Sequence, residues 1–248
     1  MRAFAFKKSF LACSLLLFFN GSVCYAAGHA YMGTTLGASF GTLSHSTPEI
    51  TYAEGTVTDS YPLSDTTGVA PVWGVKGGYE FAGQHGIPAV ALGVGVYTTT
   101  TGYDYDGKVY EAAIGAPGTT LFKYSYSVNS TRLMVETQLT WDIKSWLPFI
   151  DVGIGSAWTR MTDYTEISEP GIAPPAAPPF HSQTQVNFAY QVGFGLAKAF
   201  DDHRVFLGYR FASLGQTSFG TRGESYPYAL KTGVLNTNDI YVGYTHLF

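Results

Sequence analysis

The chain has 248 residues, 46% hydrophobic, 16% aromatic and only 13% charged, with a formal net charge of −4. Charged content is about half the usual quarter while aromatics abound, which argues against a disordered chain and against a basic nucleic-acid-binding face. A mean hydropathy of +0.06, with one long apolar run at the N-terminus, argues against a bundle of membrane-spanning helices.

That run opens the chain. Arg2, Lys7 and Lys8 precede the apolar stretch Phe10 to Phe19, and Cys24-Tyr25-Ala26 follows with small residues at both recognition positions of a cleavage site. The stretch is too short for a spanning helix, which needs about 20 residues. Val23 before Cys24 argues against a lipoprotein. The expected organisation is a cleaved signal peptide, residues 1–26, and one domain, residues 27–248. Cleavage removes Cys13 and Cys24, leaving no thiol for a disulfide or a metal, and leaves 11 basic residues against 18 acids.

Beyond it the pattern has period two. From Val186 to Leu196 every even position is large and apolar, and every odd one is Asn, Ala, Gln or Gly. This is a strand with one greasy face. Similar segments start near Tyr31, Ala70, Ala89, Arg132, Phe149, Arg204 and Thr237, which predicts eight strands. Short connections lie near Gly83 to Gly86, Asp142 to Ser145 and Phe200 to His203. Long ones run roughly Ser44 to Val69, Thr101 to Lys123, Met161 to Gln183 and Gly215 to Asn236. Alternating long and short connections predict an all-β, eight-stranded, antiparallel up-and-down transmembrane β-barrel, with short periplasmic turns and four long extracellular loops.

A soluble eight-stranded barrel of lipocalin type is the rival. It would leave the small-residue face, with Gly33, Gly74, Gly93, Gly153, Gly193 and Gly243, in water, where glycine weakens a strand. A narrow barrel interior needs small residues, and Trp73, Trp141 and Trp158 lie on the greasy face near strand ends, as an interfacial girdle requires. The membrane reading is preferred.

The C-terminal run Tyr241-Val242-Gly243-Tyr244-Thr245-His246-Leu247-Phe248 resembles the assembly signal of bacterial outer-membrane proteins. Tyr241, Gly243 and Phe248 match its pattern, and His246 stands where a hydrophobic residue is usual. With the signal peptide and eight strands, nearly the whole mature chain resembles the OmpA-like and opacity-type barrels. The resemblance implies a Gram-negative outer-membrane location, recognition of the last strand by the barrel-assembly machinery, a lipopolysaccharide surround, and a role as surface antigen, adhesin or envelope stabiliser. No peptidoglycan-binding domain is expected after Phe248.

The same parity puts Lys76, Glu80, Arg132, Glu136, Asp151, Arg210 and Asp239 on the small-residue face. Charges there escape lipid, which would cost Arg or Lys about 2–4 kcal/mol at midplane. Lys76, Glu136, Asp151, Arg210 and Asp239 are expected at similar heights, as a belt of three acids and two bases. Such a belt requires either a protonated carboxylate or Arg132 reaching down. It serves structural pairing or an ion path.

The chemistry candidates are scattered. His45-Ser46, His181-Ser182, Asp104 and Asp106 fall in long loops, His85 and His203 in short turns, with no zinc spacing and no phosphate loop. No catalytic residue, metal or cofactor is expected. The loops carry Glu49, Glu54, Asp59 and Asp65, the tyrosines Tyr103, Tyr105, Tyr110, Tyr226 and Tyr228, and a proline-rich run from Glu169 to Pro179 that favours an extended form. The function expected is a non-enzymatic surface barrel with a largely filled lumen, whose loops serve adhesion, recognition of a host or phage ligand, or envelope integrity. The alternatives are a narrow porin-like channel and a lipid A-modifying enzyme.

Overall fold

The computed structural model describes residues 26–44, 47–52, 57–83, 86–113, 119–174, 179–222 and 228–248. The expected signal peptide up to residue 25, with both cysteines, lies outside the described residues, as do His45-Ser46, Glu54, His85, Tyr226 and residues 175–178 of the proline-rich run.

Among the described residues there are eleven strands: β1 (Ala26–Leu43), β2 (Glu49–Tyr52), β3 (Val57–Ser60), β4 (Thr67–Ala82), β5 (Ala89–Thr99), β6 (Tyr103–Ala113), β7 (Thr119–Thr140), β8 (Trp146–Ser168), β9 (Gln183–Phe200), β10 (His203–Thr221) and β11 (Ala229–Leu247). All pair antiparallel. β5 and β6 run along the same edge of β7, β5 on its lower part up to Thr98↔Thr131 and β6 on its upper part from Tyr103↔Val128, so together they make one wall. The ring therefore has eight walls, closed where β1 pairs β11 and where β7 pairs β8. The small hairpin β2–β3 extends the sheet from the upper half of β6.

Around the lower part, the outward residues are large, apolar and exposed. Leu36 and Val135 are 62% and 63% exposed, and Val75, Val94, Ile154, Phe188 and Leu207 lie in the same band, with Trp73 and Trp158 near its upper edge. A continuous apolar girdle of this extent is not tolerated in water and defines a lipid-facing wall. The fold is a transmembrane β-barrel.

Two of the long connections are mostly strand, and a third is strand over its first part. β6 and the start of β7 occupy Thr101 to Lys123, β8 continues to Ser168, and β10 and β11 continue through most of Gly215 to Asn236. The parity of β7 explains the error. Its odd residues point outward throughout, but they change from Leu133, Val135 and Leu139 below to Lys123, Ser125 and Ser127 above. The even residues do the reverse, with Arg132 and Glu136 inward below and Tyr124, Tyr126 and Val128 inward above. The strand keeps its geometry while its surroundings change from lipid to water, so the greasy face switches sides. A search for one greasy face stops at the crossover.

The upper walls form a crown around their own core. Leu43, Ile50, Tyr61, Tyr105, Tyr124, Tyr126, Tyr164, Phe219 and Leu235 pack inside it with Phe180, the single buried residue of segment 179–182. The Phe180 ring meets Tyr164 and Tyr61 edge-on, at 5.0 and 6.0 Å between centroids. The segment is tied down by His181 N–H to the Thr221 carbonyl, 3.3 Å, and Gly220 N–H to the His181 carbonyl, 3.0 Å.

Candidate functional site

The lumen is the site that sequence parity singled out, and every predicted charge there faces inward. Their contacts divide them into three groups. At the short-turn end Arg204 grips Glu80 with both guanidinium nitrogens, at 2.6 and 2.8 Å. Lys76 hangs into the same region, donating to Gln138 Oε1 at 3.0 Å with its ammonium 5.0 Å from the centre of the Phe206 ring.

In the second group Arg210 lies between two tyrosines, its guanidinium 4.0 Å from the Tyr97 ring centre and 4.6 Å from that of Tyr241. Asp151 faces it at 3.8 Å, an ion pair without a hydrogen bond. Glu136 accepts from Gln191 Nε2 at 2.6 Å.

In the third group Arg132 binds Asp239 through Nη2 and Thr237 through Nη1, the latter at 3.0 Å. Ser39 donates to the other oxygen of Asp239 at 2.5 Å and shares a 2.7 Å bond with the Tyr103 hydroxyl. By its contacts Asp239 belongs with Arg132, although on the strands it is the direct cross-strand partner of Arg210. The side chains have lengths and tilts that strand position alone does not supply. The expected imbalance of three acids and two bases disappears as well. Arg132 takes Asp239, and Arg204 takes Glu80, so four acids face four bases among the described lumen residues.

Sequence reasoning missed Arg204 and the inward aromatics. Arg204 has the parity of Arg210, which would have placed it inside. Tyr97 shares the parity of Gly93 and Gly95, and Tyr241 that of Asp239 and Gly243. These rings explain why the inner face is small. A Cβ on Gly74 would meet the Tyr97 ring at 2.3 Å, and one on Gly208 would meet the Tyr241 ring at 2.6 Å. Glycine on one wall makes room for an aromatic side chain from the next. The lower cavity left between Lys76, Glu80, Gln138, Arg204 and Phe206 measures about 20 Å³, room for about one water.

The C-terminal residues divide between faces. Tyr241 is buried in the lumen, Gly243 lies under the Phe206 ring, and His246 stacks on His203 at 4.8 Å. The exposed Phe248 closes the ring through its N–H, which donates to the Ala30 carbonyl at 2.9 Å. In the crown, Arg222 binds Glu166, which also accepts from Tyr164 at 2.5 Å, and the Arg222 guanidinium covers Phe180 at 4.2 Å. Burial raises the Tyr164 phenol far above its ordinary value, and the charge of Glu166 adds to the rise.

The loop candidates for chemistry among the described residues are not brought together. Asp104 and Asp106 point outward from β6, Asp104 accepting from Ser127, whereas His181 sits beside β10. Among the described residues no three His, Asp or Glu side chains converge as metal ligands.

No protein-family model matches the chain, and no curated protein matches it in sequence. Three similar solved structures are all from bacteria. Neisserial surface protein A matches at 10% identity over 90% of this chain and 100% of its own, with a TM-score of 0.48. The outer membrane protein OprG from Pseudomonas aeruginosa matches at 13% identity over 90% and 97%, TM-score 0.44. The outer membrane protease OmpT from Escherichia coli matches at 8% identity over 92% and 99%, TM-score 0.45.

Proposed function

We propose that this protein is a non-enzymatic barrel of the bacterial outer membrane, of the OmpA-like and opacity type, exported with a cleaved signal peptide. Its crown stands outside the cell and serves recognition, adhesion or envelope integrity. The crown core carries this reading: the extended walls and the segment at Phe180 enclose a packed aromatic cluster, so the mouth offers a fixed surface rather than an entrance. Below it, Arg210 clamped between Tyr97 and Tyr241 fills the bore with side chains. Such a structure is suited to presenting a surface. Lipopolysaccharide surrounds its wall, the assembly machinery takes hold of the terminal strand, and a host or phage ligand meets the crown.

The test is to replace the four upper connections by short turns and to measure attachment of the cells to surfaces or phage. Attachment lost, with the heat-modifiable gel shift of a folded barrel retained, supports the reading; attachment unchanged refutes it. A narrow channel is the second reading, favoured by the charged cavity at Lys76, Glu80 and Arg204. Room for about one water there weighs against it.

A further inference from the structure

We propose that the outer wall of the crown carries a binding site for an acidic saccharide, centred on Lys108 and Lys123. The two lysines are direct cross-strand partners on β6 and β7, and both point away from the barrel. Like charges placed opposite one another destabilise a strand pair. Glu169 relieves one of them, at 3.2 Å from Lys123 Nζ, and among the described residues Lys108 makes no ion pair. An anion bound between the two ammonium groups would remove the remaining repulsion.

The surroundings select the kind of anion. The lysines border an open groove of about 230 Å³, with Asp106, Ser125, Thr165 and Ile167 along it. The strand registers lay these out in two rows across β6, β7 and β8: Lys108, Lys123 and Ile167 in one, Asp106, Ser125 and Thr165 in the other. Ser125 and Thr165 share a 2.9 Å hydrogen bond, leaving further donor and acceptor capacity on both hydroxyls. Ile167 is 69% exposed although it lies well above the lipid-facing girdle. Carboxylate and hydroxyls meet sugar hydroxyls, an exposed aliphatic side chain meets the C–H face of a sugar ring, and paired ammonium groups meet a phosphate or carboxylate substituent.

Height agrees with this ligand. Along β7, Lys123 lies ten residues beyond Leu133, the last apolar outward residue before the polar run Thr131, Asn129, Ser127 and Ser125. Ten residues span about 33 Å, and a strand tilt of about 40° leaves a rise of about 25 Å. That is beyond the lipid headgroups and within reach of saccharides carried by the surrounding glycolipid or by another cell. The proposal deepens the surface-recognition reading and rests on it for the outward orientation of the crown.

The test uses the full mature chain refolded into phosphatidylcholine nanodiscs, whose neutral lipid does not compete for the lysines. Binding is measured by saturation-transfer NMR and calorimetry. The probes are a phosphorylated core oligosaccharide released from lipopolysaccharide, a glucuronate-containing oligosaccharide and a neutral glucose oligomer of equal length. Saturable binding of at least one acidic probe is expected, at least ten-fold tighter than the neutral one and weakening with salt. K108Q/K123Q should weaken it at least ten-fold, whereas K231Q, on β11 across the barrel, should leave it unchanged. Preference for the phosphorylated probe assigns the site to the cell's own envelope, and preference for glucuronate to a foreign glycan; either supports it. Failure of both acidic probes to bind, equal binding of the neutral one, or binding indifferent to K108Q/K123Q overturns it. Both exposed lysines can be lost without unfolding, which the heat-modifiable band verifies. Because binding is read on the isolated barrel, its failure removes this site and leaves attachment by whole cells as the separate test of the crown.

Discussion

Arg204 and Glu80 are 124 residues apart in sequence, yet their side chains form a two-pronged ion pair at 2.6 and 2.8 Å across the short-turn end of the barrel. They stand on β10 and β4, with β11 and β1 between them in the ring, so the pair ties together walls that are not hydrogen-bonded neighbours.

Removing one partner should therefore cost more than removing both. Breaking a fully buried pair costs about 3–5 kcal/mol. Arg204 is partly exposed, at 17% of its side chain, so about 2 kcal/mol is expected for E80A or R204A after allowing for solvent screening. E80Q/R204M should lie closer to the parent protein, since neither charge is then stranded. Denaturant unfolding in detergent micelles, followed by the heat-modifiable gel shift, gives all three values; equal destabilisation by the single and double variants would contradict the pairing.

The crown tyrosines make its stability depend on alkaline pH. Burial raises the phenols of Tyr124 and Tyr164 well above the ordinary value near 10, with added repulsion from Asp106 and Glu166 respectively. A raised folded-state pKa means that the unfolded chain releases these protons first. Their contribution is present in full below about pH 10 and is lost as pH climbs above it. Absorbance at 295 nm should show a fraction of tyrosines that ionise only together with crown unfolding. Complete, reversible ionisation near pH 10 with the fold intact would refute the burial.

Phe180 holds segment 179–182 against the crown. Truncating a buried Phe typically costs about 3–5 kcal/mol, and the side chains of its neighbours Pro179, His181 and Ser182 are exposed, leaving only the main-chain bonds of His181 beside it. F180A should raise the rate of proteinase K cleavage beside residue 180 at least ten-fold in reconstituted vesicles while the lower barrel stays resistant. Protection identical to the parent would show that the main-chain bonds at Thr221 and Gly220 suffice.

The period-two pattern made the lower walls, their lipid-facing side and all seven named lumen charges legible, because a membrane strand writes lipid and lumen on alternate residues. Val186 to Leu196 is the clearest instance. The crown was not legible in the same way, since β7 carries Leu133 and Lys123 on one face and the rule that reads the first misreads the second. Which charges pair was also hidden. Arg132 meets Asp239 and Arg204 meets Glu80 through ring closure, and closure joins residues that no local pattern relates. Tyr97 could have been found, being a large residue among Gly93, Gly95 and Ala91 on a face otherwise reserved for small ones. The contact of Phe180 with Tyr61 and Tyr164 follows from tertiary packing alone.

The central claim is that the bore is closed by side chains and that any activity lies on the crown. Single-channel recording of the mature chain refolded into a planar bilayer tests it most directly, with Y97A/Y241A alongside to remove both rings that clamp Arg210. A silent parent barrel and stable current steps from Y97A/Y241A are expected. Stable, reproducible steps from the parent barrel would contradict the account and make transport through the lumen the function to explain.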